Sequence, residues 1–140
     1  MKPEFEELDH TADVAMRVRG ATLDLLFRHA ARGMMQLMTG PLRGVSAQTE
    51  RTVDIEADAP DALLRAWLSE LIFLVAAHRL VPVSFTVEHV DAHRLRARVG
   101  VAPLTDAIAR DATEIKAVTW HGLCVDTDQD GYFAEVVFDT

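Results

Sequence analysis

The first clear pattern in the chain is a change from a period of two to a period of three to four. Apolar side chains alternate with more polar ones over residues 14–20, which predicts a half-buried strand. From about Thr22 to Thr39 the apolar positions recur at helical spacing, and Gly40 is placed to end that helix. We expect its methionines to fill the core, with an adaptable binding surface as the alternative. They are Met34, Met35 and Met38.

A second strand and a second helix follow. Polar and apolar residues alternate over residues 52–57, and Pro60 then opens a helix that we expect Pro82 to end. This helix is apolar around much of its circumference, so we expect it to be covered on more than one side. Glu70 lies at the margin of the apolar face, and we expect its carboxylate at the rim, with partial burial as the alternative. The apolar positions are Leu63, Leu64, Trp67, Leu68, Leu71, Ile72, Leu74 and Val75.

The remaining alternating runs predict two hairpins. The first covers residues 83–101 and turns near Asp91. The second joins a run over residues 114–125 to one over residues 132–138, with Gly131 supplying a positive φ in the connecting turn. The order β-α-β-α-β-β-β-β predicts an α+β two-layer sandwich, in which two helices pack on one face of a mostly antiparallel sheet. We expect residues 1–140 to form a single domain.

Composition narrows the class of protein. The 140 residues are 49% hydrophobic, yet no stretch approaches the about 18 consecutive apolar residues of a membrane span. The first ten residues, MKPEFEELDH, are acidic where a signal peptide is apolar, so we expect a cytoplasmic protein without membrane association. A net charge of −8 disfavours direct nucleic-acid binding and suits a protein partner or a metal ion.

Two further features limit the possible chemistry. Cys124 is the only cysteine, so the chain forms neither an internal disulfide nor a thiolate zinc cage, and we expect Cys124 to be buried in a strand. Arg94, Arg96 and Arg98 share one side of a predicted strand, which we interpret as a solvated sheet face. The sequence has no Gly-rich phosphate loop, and no Ser or Cys nucleophile has a base placed beside it. These features give no signature of an enzyme.

Acidic residues at two predicted strand ends form the main candidate site. The last apolar strand stops at Asp139, which the α-carboxylate of Thr140 follows, and Asp13 immediately precedes the strand that begins near Val14. If the two strands pair, three carboxylates meet. Oxygen ligands favour calcium or magnesium over zinc. The alternative is that Asp13 is an ordinary polar residue at the start of a strand.

Two other metal motifs are weaker. The segment DTDQDG at residues 126–131 matches the opening of an EF-hand loop, but the twelfth position is Val137 rather than glutamate. Its flanks have strand periodicity, so we interpret the segment as a solvated hairpin turn. His89 and His93 flank the other predicted turn without a third soft ligand nearby, so we interpret them as turn residues rather than zinc ligands.

Ordered blocks of characteristic sequence extend across essentially the whole chain: ELDHTADVAMRVRG, GMMQLMTG, LLRAWLSELIFL, TEIKAVTWHGLCV and FAEVVFDT. Together they resemble the archease family. The family has a compact α+β fold, and its members activate the tRNA-splicing RNA ligase that joins 2′,3′-cyclic-phosphate ends to 5′-hydroxyl ends with GTP. The resemblance implies that this protein promotes guanylylation of the ligase histidine, restores multiple turnover and broadens nucleotide use, without being an enzyme itself.

The resemblance also implies site residues. The family's metal site carries over to Asp13, Asp139 and the terminal Thr140, and the ion it suggests is calcium. Further characteristic positions are expected around the same surface, without individual roles: His10, Glu70, Lys116 and His121. The family usually ends on an aliphatic residue, so Thr140 keeps the carboxylate and loses an apolar contact.

Two other functional classes remain open. One is a general chaperone or adaptor without a metal role, which broad suppression of aggregation in unrelated proteins would indicate. The other is a small metal-dependent hydrolase, for which three oxygen ligands and nearby histidines would be suitable parts. Turnover of a phosphoester by the isolated protein would identify that class.

Overall fold

The computed structural model describes residues 2–8 and 14–140. In this part of the chain, helices are interspersed among the strands along the sequence. The predicted α+β class is confirmed. The structure adds a short N-terminal strand and a short third helix that the sequence patterns did not indicate. The elements are β1 (Phe5–Leu8), β2 (Val14–Gly20), α1 (Leu23–Thr39), β3 (Thr49–Glu56), α2 (Pro60–His78), β4 (Leu80–Val90), β5 (Arg94–Pro103), α3 (Asp106–Asp111), β6 (Ala117–Val118), β7 (Asp126–Asp128) and β8 (Gly131–Asp139).

The strands pair antiparallel, as predicted, and are divided between two sheets. The three-stranded sheet has the order β3-β5-β4, and the five-stranded sheet has the order β1-β2-β8-β6 with β7 also paired to β8. Strand β8 therefore bonds to three other strands of its sheet. In its register Val14 lies opposite Phe138, and Ala117 lies opposite Asp139. The beginning of β2 and the short strand β6 consequently flank the end of β8.

Helix α1 begins and ends within one residue of the predicted positions. Thr22 has an extended backbone at the N-cap, and Gly40 has a φ of 68° at the C-cap, where its N–H donates to the Gln36 carbonyl at 2.9 Å. Only glycine adopts this φ without strain, which explains why the helix stops there. The expectation that the methionines fill the core is confirmed, because each is buried: Met34, Met35 and Met38.

Helix α2 is covered on two sides, as its apolar circumference predicted. Trp67 is fully buried, and its indole N–H donates to the Phe27 carbonyl of α1 at 2.9 Å. The same ring meets Phe85 of β4 edge to face, with 6.1 Å between the ring centroids. Trp67 thus joins both helices to the three-stranded sheet. Glu70 is half-buried on this helix.

The end of α2 differs from the prediction. The helix stops at His78 because Arg79 adopts a left-handed conformation with a φ of 52° and donates its backbone N–H to the Leu74 carbonyl. Pro82 lies inside β4, an edge strand, where a missing N–H is tolerated. Within the part of the chain that the structure describes, no helix combines the length and apolar character needed to cross a membrane.

The largest departure from the sequence pattern lies before β7. The strand predicted over residues 114–125 is reduced to β6, because the chain turns immediately after it. The Leu123 N–H donates to the Trp120 carbonyl at 3.2 Å, and Gly122 has a φ of 62°. A side chain would strain this φ, so Gly122 permits the turn.

The expectation that Cys124 is a buried strand residue is wrong. Cys124 is exposed and lies outside any strand, directly after this turn. The next residue, Val125, donates its N–H to the Asp61 carboxylate of α2 at 2.6 Å. A helix side chain therefore holds this segment, in place of the strand pairing that periodicity predicted.

The arginine stripe on β5 is a solvated sheet face, as predicted. All three guanidinium groups are exposed and form ion pairs with carboxylates of the neighbouring strands. The hydrogen bond from Arg94 is the largest cause that lowers the pKa of Asp54. The stripe is therefore already neutralised and offers little free positive charge. The pairs join Arg94 and Arg96 to Asp54, Arg98 to Glu50, and both Arg96 and Arg98 to Glu88.

Candidate metal site and neighbouring surface

Asp139 lies at the end of β8, where that strand is flanked by β2 and β6. It is exposed, and its backbone carbonyl accepts a hydrogen bond from the Lys116 N–H at 2.8 Å. No described residue forms an ion pair or hydrogen bond with its carboxylate. Thr140 follows and is also exposed. The main chain of Asp139 is thus fixed in the sheet while its carboxylate oxygens remain available as ligands.

Two of the predicted site residues, His10 and Asp13, lie outside the described residues. What the structure does describe is the strand that follows Asp13. Val14 pairs with Phe138, the residue before Asp139. Within residues 2–8 and 14–140, no three His, Cys, Asp or Glu side chains are grouped closely enough to hold a metal ion. The predicted carboxylate site therefore depends on Asp13, and the oxygen donors of Asp139 and Thr140 suit a hard cation such as calcium.

Lys116 lies beside Asp139 along the backbone. Its side chain is exposed at the start of β6, and its backbone bond to Asp139 fixes the neighbouring strand ends. His121 is also exposed, and its backbone N–H donates to Thr119 Oγ1 at 3.2 Å within the turn after β6. Glu70 is on α2. The described geometry thus brings Lys116 and Asp139 together, while His121 and Glu70 belong to adjoining elements.

The acidic hairpin turn between β7 and β8 is not an EF-hand. Strands flank it, and Gly131 has the predicted positive φ, at 123°. Arg19 lies 2.9 Å from Asp128, and Lys2 lies 3.4 Å from Asp128 and 3.1 Å from Asp130. A backbone hydrogen bond from Asp130, followed by the Arg19 side chain, lowers the pKa of Asp128. These carboxylates are already neutralised by basic side chains.

The histidines of the other hairpin stabilise the turn, as predicted. Asp91 accepts the backbone N–H groups of His93 and Arg94, each at 2.8 Å, and its other oxygen lies 2.9 Å from the His89 ring. The backbone bond from His93 is the largest of the causes that lower the pKa of Asp91 to about 2. His89 and His93 therefore organise an anionic turn residue and do not converge on a shared metal position.

Two exposed aromatic residues were not singled out in the sequence. Trp120 is 56% exposed and Phe73 is 51% exposed. The Arg65 guanidinium lies 4.6 Å from the centroid of the Trp120 ring, and its Nε donates to the Val118 carbonyl at 2.9 Å. For Trp120, the sequence contained one signal of exposure: Gly122, two residues later, marks a surface turn.

An open groove extends from α2 to Lys116. Its volume is about 480 Å³, and most of its lining is apolar, with Ile72, Val75 and Ala76 contributed by α2. Lys116 and Arg79 add positive charge to its wall. The groove therefore connects the surface of α2 with the residue that bonds to Asp139.

The Archease protein family (MTH1598/TM1083) model matches residues 5–140. The chain belongs to the archease family. The archeases of Methanosarcina barkeri and Methanopyrus kandleri are 30% and 32% identical to it. The first alignment covers 97% of this chain and 95% of the relative, and the second covers 96% and 98%. The family resemblance predicted from the ordered sequence blocks is confirmed.

Two solved structures share the architecture of this archease. The solution structure of Methanobacterium thermoautotrophicum protein 1598 has a TM-score of 0.83 at 29% identity, covering 98% of this chain and 99% of that one. The crystal structure of a Thermotoga maritima archease, described as a possible chaperone, has a TM-score of 0.67 at 21% identity, covering 100% and 97%. At that identity the second likeness shows the fold alone.

Proposed function

We propose that this archease activates the tRNA-splicing RNA ligase that joins 2′,3′-cyclic-phosphate and 5′-hydroxyl RNA ends. It promotes guanylylation of the ligase histidine by GTP, restores multiple turnover and broadens the range of nucleoside triphosphates used. The archease contributes to this reaction in trans, as a protein cofactor in the cytoplasm, and it is not the enzyme. The family assignment supports a shared role, and the site at the end of β8 supports the mechanism.

The observation that carries the proposal is the unneutralised carboxylate of Asp139. Several carboxylates on this sheet have basic partners, as Asp128 has in Arg19 and Glu135 has in Arg17. Asp139 is exposed at the junction of three strands and has no such partner among the described residues. A carboxylate held by a fixed backbone and left without a counter-charge is suited to bind a cation.

In the proposed site, Asp13, Asp139 and the α-carboxylate of Thr140 hold a divalent cation, with calcium as the preferred ion. The pairing of Val14 with Phe138 supports this arrangement, because it aligns the strand that follows Asp13 with the strand that carries Asp139. Carboxylate oxygens are the ligands that calcium prefers. When bound, the ion supplies positive charge to offset the phosphate oxygens of a nucleotide.

The reaction to be assisted is attack by the ligase histidine on the α-phosphorus of GTP, with release of pyrophosphate. This reaction requires that negative charge on the phosphate oxygens be stabilised. It also requires that the histidine, the α-phosphorus and the leaving pyrophosphate be aligned. Asp13 and Asp139 would hold the divalent cation at the rim of the ligase nucleotide pocket. Lys116, beside Asp139, donates a hydrogen bond to a phosphate oxygen of the nucleotide. His10, Glu70 and His121 complete the surface that meets the ligase.

The test is GTP-dependent, multiple-turnover ligation by the cognate ligase, with wild-type archease and with Asp13→Asn and Asp139→Asn variants. We expect wild type to restore turnover and both variants to lose most of the stimulation. Asp126→Asn is the matched control, because it removes one exposed carboxylate charge from another strand of the same sheet. Folded Asp13→Asn and Asp139→Asn proteins that activate fully would exclude a role for the carboxylates.

A general chaperone or adaptor is the second candidate, and the exposed aromatic residues on and beside α2 favour it. Such a protein would suppress aggregation of unrelated unfolded proteins, and Asp139→Asn would do so as well as wild type. An activator of one ligase would not suppress aggregation of unrelated proteins, and its activity would depend on Asp139. Aggregation of two unrelated proteins, followed by light scattering, separates these functions.

A further inference from the structure

Helix α2 has an outward-facing side that is unusually poor in charge. On a helical wheel this outer face consists of Ala62, Ala66, Ser69, Phe73, Ala76 and Ala77, all partly or fully exposed. The charged residues Arg65 and Glu70 lie at its two edges. A helix face left in water usually carries several charges, because these keep it hydrated. The outer face of α2 instead has the composition of a face that another surface covers.

Trp120 extends this surface, and its ring is both contacted by a neighbouring side chain and exposed to solvent. One side of its ring faces the Arg65 guanidinium at 4.6 Å, and Arg65 is itself fixed by its hydrogen bond to the Val118 carbonyl. More than half of the Trp120 side chain remains exposed. A fixed tryptophan loses little conformational freedom on binding, which is why Trp and Arg are frequent energetic centres of protein interfaces.

The two aromatic residues are spaced as anchors of one interface. Arg65, which contacts Trp120, and Phe73 are eight residues apart on α2. At a rise of 1.5 Å per residue this separation is about 12 Å along the helix axis. Small side chains lie between them, so a partner surface can approach the helix closely at that point.

The surface adjoins the candidate metal site on two sides. Ala76 lines the groove that reaches Lys116, and Lys116 donates its N–H to the Asp139 carbonyl. Trp120 lies two residues after β6, whose Ala117 pairs with Asp139. A partner that covers the outer face of α2 and Trp120 therefore comes next to the end of β8.

We propose that the outer face of α2, together with Trp120, is the docking surface for the RNA ligase, an inference that rests on the proposed function. Charge identifies this partner in preference to a second copy of the chain. A net charge of −8 makes two copies repel each other, whereas a protein that holds RNA ends presents positive surface. In this arrangement Phe73 and Trp120 supply binding energy, and the carboxylates at the end of β8 supply the assistance to chemistry.

Phe73→Ser and Trp120→Ser variants separate docking from chemistry. Binding to the ligase is measured by isothermal titration calorimetry, and stimulation is measured across a range of archease concentrations. We expect each variant to raise the Kd at least about tenfold and to reach the wild-type plateau of stimulation at saturation. Asp139→Asn should lower the plateau with little change in Kd.

Phe133→Ser is the matched control. Phe133 also lies beneath an arginine, with 5.2 Å between Arg19 and the ring centroid, but it is on β8 away from α2. We expect its Kd to remain within about twofold of wild type. Circular dichroism and thermal unfolding establish that every variant is folded.

The outcomes distinguish the docking surface from the proposed function. Wild-type Kd values for folded Phe73→Ser and Trp120→Ser overturn the docking surface and leave ligase activation intact. A wild-type archease that neither binds nor stimulates the ligase overturns both. Reversible self-association of wild type that either substitution abolishes, measured by sedimentation, assigns the surface to a second copy and overturns the assignment to the ligase.

Discussion

Replacing Trp67 with phenylalanine tests whether this side chain joins the two helices and the three-stranded sheet. The substitution keeps an aromatic ring in the core and removes the indole N–H that bonds to the Phe27 carbonyl. It also removes roughly three ring atoms from a position that is fully buried. Trp120→Phe is the matched control, because it makes the same chemical change at a site that is 56% exposed.

The expected loss follows from these two changes at Trp67. A buried hydrogen bond contributes about 0.5–1.5 kcal/mol net, and leaving its acceptor without that partner adds to the cost. Loss of about two buried carbon groups costs about 0.8 kcal/mol each, with a further contribution from the cavity. We therefore expect Trp67→Phe to lower the free energy of unfolding by about 2–4 kcal/mol and the Tm by roughly 10 °C. Trp120→Phe should change it by less than about 0.5 kcal/mol.

Urea unfolding followed by far-ultraviolet circular dichroism measures both variants without relying on tryptophan fluorescence. Equal m-values for wild type and the variants are required, so that a shifted midpoint reports stability alone. A loss below about 1 kcal/mol at Trp67 would refute the reasoning, since it would mean that neither the hydrogen bond nor the packing of that ring contributes as the geometry indicates. Similar losses at Trp67 and Trp120 would refute it as well.

Three further predictions concern a tight contact, a turn and the metal ligands. Gly20→Ala should cost about 1–3 kcal/mol in urea unfolding, because its Cβ would lie 2.2 Å from a backbone nitrogen of α1. Gly44→Ala has open space and a φ of 74°, so it measures backbone strain alone, and an equal or larger cost there would contradict the packing argument. The pKa of Asp91 is lowered from 3.8 to about 2 by the His93 N–H and its neighbours, so its stabilising effect should be complete above pH 3.8 and disappear as the pH falls towards 2. A carboxyl-carbon NMR titration with a midpoint near 3.8 would exclude this. Adding one glycine after Thr140 moves the α-carboxylate, so calcium affinity by calorimetry should fall roughly tenfold, and an unchanged affinity would exclude that ligand.

Local signals in the sequence were sufficient for helix α1, for the start of α2 and for one turn. The apolar spacing and Gly40 placed α1 within one residue, and Gly131 has the positive φ expected in its hairpin. These features depend on residues within one or two helical turns of each other, so periodicity contains the necessary information. The α+β class follows from the order of such elements.

Long-range contacts decided the parts that the sequence did not predict. The Val125 N–H donates a hydrogen bond to Asp61, which is 64 residues away in the chain. The Val118 carbonyl accepts a hydrogen bond from Arg65 at a separation of 53 residues. No periodicity in residues 114–125 indicates that α2 would replace strand pairing there. The division of the strands between two sheets likewise depends on which distant strands meet.

The candidate site was predictable only in part. Asp139 and Lys116 lie side by side. A position at a strand end and the family resemblance both indicated Asp139, whereas the resemblance indicated Lys116. The exposed pair of Trp120 and Phe73 was not predicted, because a tryptophan or phenylalanine in an apolar segment is usually buried. Gly122 marks a surface turn beside Trp120, but no local signal indicates that Phe73 points outwards from α2.

The central place of β8 in the five-stranded sheet has a consequence for biosynthesis. Strand β2 is made before its partner β8, and Arg17 and Glu135 bond across 118 residues. The ribosome must therefore synthesise all the residues between β2 and β8 before this sheet can close, and closing so large a loop slows folding. Nascent fragments that lack β8 will display the unpaired edge of β2. The junction at Asp139 can form only after translation of the whole sheet, so prematurely terminated products will lack it.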